Sequence, residues 1–495
     1  MLKIGWASAD VSTHAPVGIM GQAYERISEG SMDPTTITAL YLEDGDRVVF
    51  LSGDFTSFQY DFYRELQDCV AQAVPGLDPQ KIILNATHTH TAPRYHLTSN
   101  YDKAPHDRVA LQNPEIYRSF LLEQMTRVVK QAVESAAPGS LSYGYGSASV
   151  GLQRRVTYFC DKGAGNKVGN TFAVNGHGVM YGKTNDPEFS GYEATTDANV
   201  YLLFTFDEKE QLTGALVNVP CPSQCTEHET FTSADYWHET RTLIREQFGD
   251  IFLLPQCAAA GDLSPRLLHN KAARERQNRL RYGDDPKAKL FKKPEEYYNR
   301  KDIAQRILGA FREGYSWASR EKLTQMPIRH VTQTLSLPKW NVTEQQYREA
   351  KENLARLLEG SYQCTEDPME DFKVNTRRSA ELSRCENVMA RYENKETEVL
   401  AQVHAVRLGQ IAFTSCPFEL FIDYQHRIQA RSPFTQTFMV QLAASAEAAA
   451  GYLATERAAA NKGYSAISYS CQVAPAGGQA LVEALVAQLD QLFNE

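Results

Sequence analysis

The chain has 495 residues, with 51 Lys and Arg against 60 Asp and Glu, a formal net charge of −9. Apolar residues make up 42% and charged residues 22%, an ordinary globular composition that excludes a disordered or fibrous chain. The acidic balance argues against nucleic-acid binding, which needs a basic face, and no apolar run approaches the ~20 residues of a membrane span.

The start, MLKIGWASADVSTHAP, lacks the apolar core of a signal peptide. Nine cysteines are scattered without a disulfide-framework spacing. Both features predict a cytoplasmic protein.

In chain order, residues 37–54 (ITALYLEDGDRVVFLSGD) predict a hairpin turning at Glu43-Asp44-Gly45-Asp46. Helical spacing over 58–74 stops before Pro75-Gly76. The β-branched run KIILN at 81–85 breaks into THTHTAPR, residues 114–136 return to a helical period, and 140–151 alternate as a strand. ANVYLLFTFD and LTGALVNV predict a strand pair, and a helix over 235–248 leads into IFLLP. Such alternation predicts an α/β (α+β) fold, a mixed β-sheet core flanked by helices.

Two polar stretches, 271–325 and 341–397, read as solvated helical insertions within a single domain over 1–495, the first, with its many Lys and Arg, having a lid or oligomer contact as its alternative. The core returns with VLAQVHAVRLGQIAFTSCPFELF, a hairpin turning at Gly409 that runs into a Pro-initiated helix carrying Glu419. An amphipathic helix closes the chain.

Four apolar strands end in polar clusters: KIILN in THTHTAPR, ALVNV in PCPSQ, IFLLP in QCAAAGDLSP, and QIAFTS in CPFEL. Sites in open α/β sheets form beyond the carboxyl ends of strands, so the four clusters are expected to converge. His88 and His90, two apart, suit a shared zinc ion or a hydrogen-bonded loop pair. Cys221 and Cys225 are candidate thiolate ligands or small buried apolar residues. Ser264 is a polar site group or a turn cap. Glu419 is a ligand or a first-turn acid. Tyr452 and Tyr464 by themselves suggest packing with a hydrogen-bonded tip, and Arg154 and Arg155 close a strand, where a surface position is the default.

Taken in order, THTH followed by Pro, GDLSP, and GYLATE before a second Gly-Tyr resemble the neutral (non-lysosomal) ceramidase family along nearly the whole chain. The resemblance implies a zinc-dependent amidohydrolase. His88 is similar to that family's first zinc histidine, Glu419 to its zinc glutamate and Tyr452 to its tyrosine ligand. His90 resembles the neighbouring catalytic histidine, Ser264 the serine of the GDxSP motif, Tyr464 the oxyanion-stabilising tyrosine and Arg154 the carbonyl-binding arginine. Cys221 stands where the family has its second zinc histidine, which implies a thiolate ligand, with His228 as the fallback. Arg266 stands where the family has asparagine. Without a C-terminal immunoglobulin-like domain, the chain is expected to act on a different and soluble N-acyl amide or lipid-like small molecule. Two other readings are a catalytically silent zinc- or ligand-binding homologue and a cysteine-nucleophile hydrolase using Cys221.

Overall fold

A computed structural model describes residues 1–97, 103–163, 167–168, 172–444 and 451–495. Apolar strand residues alternate between two buried faces. In β2 (Thr36–Asp44), Leu40 and Leu42 join one cluster while Ala39 and Tyr41 join another; in β3 (Asp46–Gly53), Val48 and Phe50 oppose Val49 and Leu51. A strand buried on both faces needs a layer on each side.

These strands belong to an eight-stranded sheet with β1 (Lys3–Asp10), β4 (Ile82–Ala86), β5 (Ala137–Ser147), β6 (Asn199–Asp207), β7 (Leu212–Val219) and β8 (Phe252–Cys257), ordered β8-β7-β6-β5-β1-β2-β3-β4. Only β3/β4 and β7/β8 pair in parallel. A second sheet runs β9 (Ile328–Pro338), β10 (Glu398–Leu408), β11 (Ile411–Ser415) and β12 (Gln436–Val440), with β11/β12 parallel. The two sheets pack face to face through Trp6, Phe50, Leu203, Phe413 and Phe438, all buried. Each such side chain contributes about 1.5–3 kcal/mol.

Helices cover both outer faces. On the large sheet lie α1 (Tyr60–Ala73), α2 (Pro114–Glu134), α3 (Tyr236–Phe248) and, after α4 (Lys271–Tyr282), α5 (Pro294–Ala318). Beyond α6 (Glu344–Leu358) and α7 (Pro368–Glu393), the small sheet is covered by α8 (Ile422–Arg431) and α10 (Pro475–Asn494), with the short α9 (Glu456–Asn461) between them in sequence. The result is an α/β fold of four layers, helix–sheet–sheet–helix.

The mixed, helix-flanked sheet is therefore present, joined by a second sheet that periodicity did not separate from the first. The hairpins turn at Gly45 and Gly409, whose φ angles of 86° and 58° favour glycine. Residues 271–325 divide in two. Only Asn278 of α4 is buried, whereas Ile303, Ile307, Leu308 and Phe311 of α5 pack on β5 and β6, so α5 is core rather than solvated insertion. Its buried positions recur every three to four residues between Lys and Arg, whose long stems mask an apolar stripe.

Candidate active site

The parallel pairs β3/β4, β7/β8 and β11/β12 point their carboxyl ends at one place, and the four polar clusters meet there. Cross-links hold the two sheets in register behind it. Asn218 Nδ2 donates to Met439 O (2.8 Å) and Gln441 N donates to Cys257 O (3.1 Å), while Ser52 Oγ, donating to Pro255 O (2.5 Å), ties two strands of the large sheet together.

Glu419 is not in a helix. Residues Glu419–Leu420 form a short strand parallel to Tyr452–Leu453, and α8 starts only at Ile422. Glu419 N donates to Gly451 O, which keeps the chain extended past Pro417. Register sets Glu419 directly beside Tyr452, so two residues far apart in sequence reach the site side by side.

Ser264 lies in a two-residue strand against Leu152–Gln153, and Arg154 N donates to Asp262 O at 3.0 Å. Asp262 pins three segments: its carboxylate accepts from Gln153 Nε2 and from Ile422 N, both at 2.9 Å. A Cβ on Gly261 would stand 2.3 Å from Glu419 O, so only glycine lets GDLSP reach the glutamate strand.

His88 adopts φ 62°, left-handed for a non-glycine residue, a costly conformation that clusters at functional sites. Its Nδ1 contacts Thr56 O at 2.7 Å, as a donor since a carbonyl can only accept, and its Nε2 lies 3.4 Å from Glu419 Oε2. Two acceptors facing each other at that distance call for a cation or a proton between them.

The neighbouring His90 has Nε2 3.3 Å from His88 Nε2, accepts from Gln224 Nε2 at 2.9 Å, and presents Nδ1 to Glu227 Oε2 at 3.5 Å. Arg154 Nη1 donates to Gln224 Oε1, which fixes the amide so that its NH2 faces His90. Burial lowers the His90 pKa, so the ring is neutral at pH 7. Gly21, with φ 105°, packs on His90 so closely that a Cβ would come within 2.6 Å of it.

Arg154 is buried, contrary to the surface default. Its Nη2 donates to Gly261 O (2.7 Å) and Tyr452 Oη (3.3 Å) and lies 3.9 Å from Glu419 Oε2. Burial opposes the Glu419 charge, but His88 and Arg154 outweigh it and hold the carboxyl below its ordinary pKa. Burial raises both Tyr452 and Tyr464, keeping them phenols; their ring centroids are 5.6 Å apart. Arg155 is fully buried too. It pairs with Glu193 and donates to Tyr464 O and Lys462 O, clamping the segment that carries Tyr464.

His88, His90, Arg154, Glu419, Tyr452 and Tyr464 thus form one connected cluster. Ser264 adjoins it through Tyr181, whose hydroxyl donates to Ser264 Oγ and accepts from Arg154 Nη1, both at 3.4 Å.

Cys221 does not join. Its side chain sits in the apolar cluster of Val219, Cys225, Tyr236 and Trp237, and burial raises the thiol far above its ordinary pKa, so it stays protonated. The groups that act on it are Cys257, Tyr236, Asp235 and Arg274, not His88 or Glu419. Its N–H folds back to Val219 O, turning the chain so that Ser223, Gln224 and Glu227, not the thiol, reach the histidines. His228 packs beside Glu227 and is likewise away from His88.

Sequence reasoning missed Gln224, Glu227, Tyr181 and Gly21. The acid of TEHE beside the PCPSQ cluster was the one available signal; nothing local marks Tyr181. Glu227 also meets Arg266, Nη1 to Oε1 at 2.5 Å. Although burial raises it, His90 and Arg266 carry the Glu227 pKa down to about 2.

Among the described residues no group of three or more His, Cys, Asp or Glu side chains is disposed to hold a metal ion. The donors that fit one are His88 Nε2 and Glu419 Oε2, with the Tyr452 hydroxyl as a third.

No family sequence model and no curated protein sequence matches the chain. Solved structures do. The neutral ceramidase from Pseudomonas aeruginosa superposes with a TM-score of 0.66 at 19% identity, over 99% of this chain and 75% of its own. A ceramidase complexed with C2 gives 0.65 at 17% identity, over 100% and 75%. From its first strand to its last helix, the chain has the neutral ceramidase fold.

Proposed function

We propose that the protein is a hydrolase of acyl amides. The observation that carries this reading is the meeting of His88, His90, Arg154, Glu419 and Tyr452 at the strand ends of a neutral ceramidase fold.

Amide hydrolysis forms a C–O bond to water, breaks the C–N bond and moves one proton to the leaving nitrogen. Neutral His90, its Nε2 exchanging the Gln224 N–H for the attacking water, takes the proton there and delivers it to the amine, with Glu227 facing Nδ1 to stabilise the imidazolium between the two steps. Arg154, held protonated, and the Tyr464 hydroxyl stabilise the negative charge that develops on the carbonyl oxygen. Ser264 and Tyr181 hold Arg154 in place and position the attacking water. A zinc ion held by His88, Glu419 and Tyr452 would supply Lewis-acid polarisation and a more acidic water. A Cys221 nucleophile has less support, because its protonated thiol has no base facing it among the described residues.

The test is amine release from a panel of N-acyl amides by zinc-supplemented protein, with bound metal measured in parallel. Amine release, together with loss of bound zinc in His88→Ala, is the expected result. No release from any amide by the zinc-loaded protein would overturn the proposal.

A further inference from the structure

Behind the catalytic cluster lies a cavity of about 330 Å³ between the Ser264 loop, α4 and the start of α5. Two of its lining residues reach the site. Tyr181, which lines it, touches Ser264 and Arg154, while Arg266 reaches Glu227 and through it His90.

This cavity is polar, and its polar groups are not satisfied. Among the described residues, five buried atoms of its lining side chains have no hydrogen-bond partner: Arg266 Nη2, Arg274 Nε, Asn278 Oδ1, Glu296 Oε2 and Asn299 Oδ1. Buried polar atoms are ordinarily paired, so five around one cavity mark a place for a polar ligand.

The charge is cationic. Arg274 shares its one partner, Asp302, with Arg281 and Arg306, so three guanidiniums surround a single carboxylate. Lys271 and Lys293 stand at the mouth with the exposed Glu275 and Glu295. The one buried acid of the wall, Glu296, has its pKa raised by burial to about 8, so at neutral pH it adds no negative charge to the wall and shares its proton with Glu229. Asn278 and Asn299 can each turn their NH2 inward, since an amide is oriented by its partners.

We propose that this cavity is a substrate subsite that binds an anionic oxygen group, a carboxylate or a phosphate, carried by the N-acyl amide cleaved at the neighbouring cluster. The proposal rests on the hydrolase reading and deepens it. An uncharged amide offers the Arg266 and Arg274 donors only neutral acceptors, weaker partners than a carboxylate or a phosphate.

Three substrates of equal acyl length test it: N-octanoylglycine, the phosphate ester of N-octanoylethanolamine, and uncharged N-octanoylethanolamine. The expected result is a kcat/KM at least about tenfold higher for one or both anions, and which anion leads identifies the group. Arg274→Gln should erase the preference through KM while leaving the uncharged amide within about twofold. Asn278→Asp, which adds a negative charge to the wall, should reverse it even if Arg274→Gln folds poorly. Equal or better turnover of the uncharged amide by the parent protein would overturn the subsite. If no amide is hydrolysed, the hydrolase reading fails on its own. Calorimetry with N-octanoylglycine and N-octanoylethanolamine then decides the subsite separately: tighter binding of the anion keeps it, and equal binding removes it.

Discussion

His88 and His90 approach with their Nε2 atoms 3.3 Å apart, and His330 and His404 approach at 2.9 Å, Nε2 to Nδ1. Both pairs are largely buried, and burial lowers the pKa of His90, His330 and His404 alike. What surrounds them differs. The first pair faces the carboxylates of Glu419 and Glu227, with the Arg154 guanidinium 3.9 Å from Glu419 Oε2. The second bridges β9 and β10 inside the smaller sheet, with Thr332 beside it and the Lys81 ammonium as the neighbouring charge. Two close imidazoles do not make a site; opposed acceptors, counter-charges and access do.

Breaking the first pair should cost catalysis, and breaking the second should spare catalysis and soften the loss of stability in acid. The largest effect is expected for His90→Gln, which keeps the shape and removes the proton carrier, a loss of about 10²–10⁴-fold in kcat. Arg154→Lys should lower kcat by about 10²–10³-fold, because an ammonium cannot hold Gly261 O, Tyr452 and Gln224 at once while facing the carbonyl. Steady-state kinetics on the uncharged amide reads both.

His404→Gln should leave kcat unchanged and alter the pH dependence of unfolding. The folded-state pKa of His404 is lowered from 6.5 to about 4. Below pH 6.5 the unfolded chain therefore binds a proton that the folded chain refuses. Stability falls as pH drops through this window, by about 2 kcal/mol at pH 5 for this one group. Denaturant unfolding at pH 7 and pH 5 should show the variant losing less between the two than the parent does. The smallest effect belongs to Cys221→Ala: kcat and bound zinc within about twofold of the parent, and about 1 kcal/mol of stability lost from the apolar cluster. A large loss of zinc in that variant would return Cys221 to the metal set.

Much of the first pair's setting is legible in the sequence. A β-branched run that stops at a polar cluster has reached the carboxyl end of its strand, and three of the four such stops carry His88 with His90, Ser264 and Glu419. Which way a loop residue turns was not legible. Cys221 and Gln224 lie three apart in one cluster, and only the fold of Cys221 N–H back onto Val219 O decides that the amide enters and the thiol does not. The second sheet was hidden for a related reason: β10 and β11 alternate as an outer hairpin would, and what makes them a separate layer is their contact with β1–β8, a relation between distant segments. The α5 stripe was masked by its own lysines and arginines.

The central claim is that acyl-amide hydrolysis occurs where His88, His90, Arg154 and Glu419 meet. The most direct test is the stoichiometric release of amine and acid from N-octanoylethanolamine by the zinc-supplemented parent and by His88→Ala, with circular dichroism confirming that both are folded. The predicted result is turnover by the parent and none above background by the variant. Undiminished turnover by folded His88→Ala, or none by the parent, would contradict the claim.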